Sequence, residues 1–212
     1  MGKLKNGILG GFNGKLGPVV GSSWKGIPVI RSRPPLKRGK SSEAQLQQMS
    51  KVSLLTPFFN QITDFLNRNY NCVTHQMSCF NKALSYNMRN AITGEYPDFR
   101  INFPRVALGV GDLLNPEVIR MYSDVAGQLN VSWDDNSGEG SARATDRIFV
   151  AVYCEATKYW STGKDGPQRN AGSYRLAVTG FSGKAVHTFI GFLSADAQFV
   201  STSLYTGLVN IL

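Results

Sequence analysis

Arg147-Ile148-Phe149-Val150-Ala151-Val152-Tyr153-Cys154 is the stretch that decides the fold. From Ile148 onward it is almost unbroken in apolar residues, rich in β-branched and aromatic side chains, which predicts a central strand. Working outward, Leu129, Val131 and Trp133 alternate with Asn130, Ser132 and Asp134. That period of two places the apolar set on one face of a half-buried strand. Tyr174 to Thr179, His187 to Leu193 and Gln198 to Leu204 follow at regular intervals. Asp134-Asp135-Asn136-Ser137-Gly138, Lys164-Asp165-Gly166-Pro167 and Ser194-Ala195-Asp196 supply turn chemistry between them. About seven short strands with one inward Trp predict an antiparallel β-sandwich over residues 96–212.

Ahead of Gly94-Glu95-Tyr96-Pro97 the code is helical. Ser41-Ser42, followed by Glu43 and Gln45, provides an N-cap and a capping-box partner. Leu46, Met49, Val52, Leu55, Phe59, Ile62 and Leu66 recur at spacings of three and four, and Leu54, Phe58 and Phe65 widen the stripe, predicting a mostly buried helix. Pro57 should kink or interrupt it, because proline removes a backbone donor and clashes with the preceding turn. A second helix is expected from Thr74, through Met77, Phe80, Leu84, Met88 and Ala91, so that residues 43–95 form a helical hairpin. The fold class is therefore α+β.

The remaining segment, residues 1–42, is where the charge lies. The chain has 212 residues, 23 of them Lys or Arg and 14 Asp or Glu, for a net charge of +9. Lys3, Lys5, Lys15, Lys25, Arg31, Arg33, Lys37, Arg38 and Lys40 precede the first acid, Glu43, and from there on bases and acids balance. Single-sign charge confined to one segment calls for a polyanion or an acidic neighbouring surface. The same arm holds nine of the 22 glycines, which predicts a segment flexible alone and ordered against a partner. It also holds Val19, Val20, Trp24, Ile27, Val29 and Ile30, too apolar for a solvated tail. Val19 to Ser32, divided at Lys25-Gly26, reads as two short strands around a tight turn, with Pro28 placing the second at an edge.

No signal-peptide h-region follows Lys3 and Lys5, and no window approaches the 18 apolar residues of a membrane helix, so a cytoplasmic location or incorporation into an assembly is expected. Cys72, Cys79 and Cys154 are an odd number at spacings matching no zinc or redox motif; they read as small buried apolar residues in a reducing compartment.

Enzymatic chemistry has little to stand on. Gly10-Gly11-Phe12-Asn13-Gly14-Lys15 lacks phosphate-loop spacing and a following Ser or Thr. Asp134, Asp135, Asn136 and Glu139 are the densest oxygen-ligand cluster, without the alternation of a calcium loop, and read as a solvated turn. His75 and His187 are the two histidines, and neither has an acidic-partner or nucleophile motif. Tyr159 and Trp160, near Lys158 and Lys164, either stack a sugar or base or pack the sandwich edge. No catalytic residue, metal or cofactor is expected.

The chain carries two resemblances. The order Val131 to Asp135, Arg147 to Cys154, Ser173 to Gly180 and Val186 to Tyr205 resembles the strands of a fibronectin type III-like domain, with Trp133 as its buried Trp. Nearly the whole chain, notably residues 5–34 (KNGILGGFNGKLGPVVGSSWKGIPVIRSRP), 42–48 (SEAQLQQ), 85–99 (SYNMRNAITGEYPDF) and 133–142 (WDDNSGEGSA), is similar to a family of uncharacterised bacterial proteins of unknown function. The resemblance implies an architecture and no site.

The reading that follows is a non-enzymatic structural protein that self-assembles as a filament, shell or virion-like subunit. Its arm would contact other copies through Trp24, Val29 and Ile30. The alternative is a nucleic-acid binder in which Arg31, Arg33, Lys37, Arg38 and Lys40 coat phosphates without reading sequence. A carbohydrate- or protein-binding sandwich module is the third.

Overall fold

The computed structural model describes residues 3, 4, 10–24, 26–33, 39–70 and 77–212. The chain divides into two compact units, Met1–Glu43 and Ala44–Leu212.

The first unit is a four-stranded antiparallel meander of β1 (Lys3–Leu4), β2 (Phe12–Leu16), β3 (Val19–Trp24) and β4 (Ile27–Ser32), in that spatial order. The expected hairpin from Val19 to Ser32 is present, its register running from Trp24 opposite Ile27 to Val19 opposite Ser32. Gly26 at φ +84° takes the left-handed turn position that side chains with a Cβ resist. The hairpin read from the sequence is thus the β3–β4 half of a four-stranded sheet.

In the second unit α1 (Glu43–Asn60) begins where the capping signal places it. It runs through Pro57 and ends three residues later, and α2 (Thr63–Asn69) restarts after a short break. Thr74, the expected start of the next helix, lies outside the described residues; α3 (Cys79–Asn90) is capped by Ser78, whose hydroxyl accepts from the Asn81 N–H. The stripe on α1 is buried only at Leu55, Phe58 and Phe59; Leu46, Met49 and Val52 are exposed, which corrects the expectation of a mostly buried helix. No helix among the described residues is long and apolar enough to cross a membrane.

A two-stranded ribbon of β5 (Ile92–Thr93) and β6 (Arg100–Ile101) leads into the sandwich. One sheet contains β7 (Ile119–Tyr122), β8 (Gln128–Trp133) and β11 (Ser173–Ala177), with β8 central. The other contains β9 (Arg147–Cys154), β10 (Tyr159–Gly163), β12 (Ala185–Leu193) and β13 (Leu204–Asn210), in the order β10-β9-β12-β13. Gln198 to Leu204 is not a strand as expected; its place is taken by β13. Ala197 sits at φ +56° and the Asp196 carboxylate caps the Gln198 N–H, so this stretch turns rather than extends.

The continuous apolar run of β9 now has its cause. Ile148, Val150, Val152 and Cys154 face β8 and β11 in one core, with Leu129, Val131, Trp133 and Phe192. Phe149, Ala151 and Tyr153 face the other way, into a second core built from Leu55, Phe59, Phe65 and Leu66 of the helices. The unit is three layers, helices on sheet on sheet, and β9 is the strand buried on both sides.

Cys154 is a free buried thiol, whereas Cys79 is disulfide-bonded, so the reading of unpaired cysteines fails at Cys79; Cys72 lies outside the described residues. Pairing depends on the approach of two Cα atoms, which spacing does not reveal. Disulfides belong to oxidising compartments, so the cysteines no longer support a reducing one.

Candidate assembly interface

β3 reads Val-Val-Gly-Ser-Ser-Trp and β4 reads Ile-Pro-Val-Ile-Arg-Ser, so neither face of this thin sheet is fully polar. β4 is the outer strand, and all six of its residues are exposed. Trp24 is 53% exposed, Ile27 58%, Val29 37% and Ile30 63%.

The register separates these residues into two faces. Trp24, Ile27, Ser22, Val29, Val20 and Arg31 share one face through the pairs Trp24–Ile27, Ser22–Val29 and Val20–Arg31. Ile30 lies on the other, opposite Gly21. Of the expected contacts, Trp24 and Val29 are therefore brought together and Ile30 is not, although all three border the same edge. Trp24–Ile27 closes a two-residue turn and is a hydrogen-bonded pair, so alternation points the backbone groups of Pro28, Ile30 and Ser32 away from β3. Pro28 has no N–H to offer. Ile30 and Ser32 present ordinary donors and acceptors to an open edge, a template for another strand.

Arg31 is exposed on β4, Arg33 follows it with its N–H on the Pro18 carbonyl at 2.7 Å, and Lys40 is exposed ahead of α1. Lys37 and Arg38 lie outside the described residues.

The second unit adds an apolar surface that the sequence reading assigned to the core. Met49 is 61% exposed and, with Val52 and Pro57, borders an open apolar depression on α1. The spacing of three and four marks an apolar face, but spacing alone does not say how much of a stripe has a neighbour.

Other chemistry-bearing side chains serve the fold. Trp160 donates its indole N–H to the Phe58 carbonyl at 2.8 Å and packs on Phe58, Tyr153 and Phe189, which resolves its ambiguity in favour of packing; Tyr159 is exposed. The Asp134 to Glu139 loop is not one ligand cluster. Asp134 pairs with Arg120 at 3.6 Å, Asp135 accepts from Ser137, and Asn136 turns inward to Arg169. Arg169 is the functional-type residue that sequence reasoning missed. It is fully buried, with its Nε 3.2 Å from Asp146 Oδ2, and the two residues are far apart in sequence with no motif to join them.

His187 is buried, stacked on Phe103 and 2.9 Å from the Tyr205 hydroxyl; His75 lies outside the described residues. Burial pushes its imidazole below the usual 6.5, against the pull of the Glu155 carboxylate at 3.7 Å. The unfolded chain therefore binds this proton more readily than the native one. The stabilising contribution is complete above about pH 6.5 and is lost as pH falls through that value toward the lower native one. Urea titrations from pH 7.5 to pH 5 should show stability falling in wild type, with a flatter profile in His187→Gln; identical profiles would remove His187 as the cause.

The chain is similar, over about half its length, to two solved structures. The fn3 domain of the human collagen alpha-1(XX) chain aligns with 49% of this chain and 91% of its own, at 12% identity and a TM-score of 0.35. The FN1–FN3 domains of chicken CNTN1 align with 48% of this chain, at 13% identity and a TM-score of 0.38, and the chain spans 34% of that one. No curated protein matches significantly. Residues 11–207 match the family of unknown function DUF6266, and the chain belongs to that family.

Proposed function

We propose, starting from membership of a family without an assigned activity, that this protein is a non-enzymatic structural subunit that assembles with other copies of itself through its N-terminal sheet. The observation that carries the reading is β4, an open edge strand with Val29 and Ile30 exposed and Trp24 at its border. An apolar strand edge with no second neighbour, as β4 has among the described residues, is a liability in a monomer and a joint in an assembly. The exposed Leu46, Met49 and Val52 of α1 supply a second apolar surface of the same kind.

Light scattering on the full-length protein tests this. Wild type should elute as an oligomer, and the double substitution Val29→Lys and Ile30→Lys should shift it to a monomer at the same concentration. Both side chains are exposed within the single chain, so the variant keeps its fold. An unchanged particle mass would refute the role of β4.

A second reading is favoured by Arg31, which shares its face with Trp24 and Val29. Bases interleaved with an aromatic suit single-stranded nucleic acid. It requires a nucleic-acid-like 260 to 280 nm absorbance ratio across the particle peak and affinity that falls steeply with salt.

A further inference from the structure

α1 is apolar on both of its long sides. Gln47, Lys51, Leu54, Leu55 and Phe58 form the inner side, half-buried or buried against the rest of the unit. At 3.6 residues per turn Leu46, Met49 and Val52 fall on the opposite side, and they are 39%, 61% and 38% exposed. A helix on the surface keeps its outer side polar, and one that is apolar all round is covered all round. The outer side of α1 therefore has the character of an interface.

Charge narrows what covers it. From Ala44 to Asn60 the single charged side chain is Lys51, which sits on the inner side with its ammonium 4.9 Å over the Phe99 ring. The outer side offers nothing to a polyanion, and nothing to the basic residues of the N-terminal sheet. It fits a surface as uncharged as itself, and a second copy of α1 presents one.

Shape points the same way. Gln48, Met49, Val52, Ser53, Thr56 and Pro57 border the open apolar depression, and Leu46 projects about two turns N-terminal of its centre. Turned end for end about a two-fold axis at Met49, each helix sets its Leu46 beside Val52 in the other's depression and brings the two Met49 side chains together. Pairing in the same direction would instead bring together two N-termini, each preceded by nine basic residues and no acid. The antiparallel arrangement keeps those N-termini apart.

We propose that the outer side of α1 pairs antiparallel with α1 of a second copy, with Met49 at the two-fold axis. The inference rests on the self-assembly reading and adds to β4 a second, unlike joint. The stretch from Leu46 to Pro57 is about 18 Å long, too short to bury the roughly 800 Å² per partner of a stable dimer. The helix pair is accordingly weak alone and forms between copies already linked through β4, where the effective concentration is high. A single self-complementary joint closes at a dimer, whereas two on each copy extend into an open chain.

Light scattering on full-length variants tests this. Met49→Glu and Met49→Lys should each lower the particle mass by about half or more, because each copy then meets its own charge across the axis. An equimolar mixture of the two should regain the wild-type mass. Mass unchanged in either variant, or not regained on mixing, overturns the helix pair; the β4 reading stands if Val29→Lys with Ile30→Lys still lowers the mass. A fall in melting temperature at unchanged mass would assign the face to the chain's own N-terminal unit and equally overturn the proposal. A cross-link reads the pair even where wild type is a monomer, the result that refutes the assembly reading. Oxidised by copper phenanthroline in concentrated solution, Met49→Cys should give about tenfold more disulfide-linked dimer than Asn60→Cys, an exposed site at the far end of the same helix. Equal yields would overturn the pairing.

Discussion

Arg169→Ala should lower the unfolding free energy by about 3–5 kcal/mol, the usual cost of stripping one partner from a buried ion pair. The guanidinium has no exposed surface and reaches three chain segments at once. It contacts Asp146 at 3.2 Å, Asn136 Oδ1 at 2.7 Å and the Leu114 carbonyl at 2.9 Å, and lies 4.0 Å over the Phe192 ring. Its own carbonyl accepts from the Trp133 indole at 2.7 Å. Removing the side chain leaves the Asp146 carboxylate buried without its cation, together with a cavity against Phe192. Replacing both partners, as Arg169→Met with Asp146→Leu, should cost less than Arg169→Ala alone, because no uncompensated charge remains. Urea denaturation at constant m reads both effects. A loss below about 1 kcal/mol for Arg169→Ala would mean that the pair is not holding these loops.

The second large effect lies where β9 crosses β12. Gly191 pairs with Phe149, and a Cβ placed on it would stand 2.2 Å from the Phe149 ring. Phe149 is buried in the helix-side core, edge-on to Phe65 at 5.5 Å between centroids, and has nowhere to move. Gly191→Ala should therefore cost about 1–3 kcal/mol or more by overpacking. Phe149→Ala should cost about 3–5 kcal/mol by cavity formation. The two should not add: with the ring gone the new methyl has room, and the double variant should be more stable than the sum predicts by about 0.5–3 kcal/mol. Strict additivity in a denaturation cycle would contradict this packing.

What the sequence made legible was what repeats. The alternation of Leu129, Val131 and Trp133 and the apolar run from Ile148 both became strands with buried side chains. The glycine turn of the β3–β4 hairpin and the capping signal before α1 also appeared as expected. Position within a layer was less legible. Leu46, Met49 and Val52 have the period of a buried stripe but lack a covering element, because a period records which face is apolar and not whether anything lies on it. Gln198 to Leu204 carries strand-forming residues, yet the Asp196 turn bends it and moves the last strand six positions onward. The Arg169 and Asp146 pair had no local signal at all, since a buried charge looks the same in sequence as a solvated one until its loops are placed.

β9 belongs to two interiors at once. Its even-numbered residues from Ile148 to Cys154 close the sandwich, and Phe149, Ala151 and Tyr153 close the layer under the helices. A strand shared in this way makes the two layers thermodynamically inseparable: loss of the helices would turn one face of the central sheet into an exposed apolar surface, and loss of β8 and β11 would do the same to the other. The unit from Ala44 to Leu212 is therefore indivisible by trimming, and a sandwich excised to resemble a free-standing module would arrive with a sticky back.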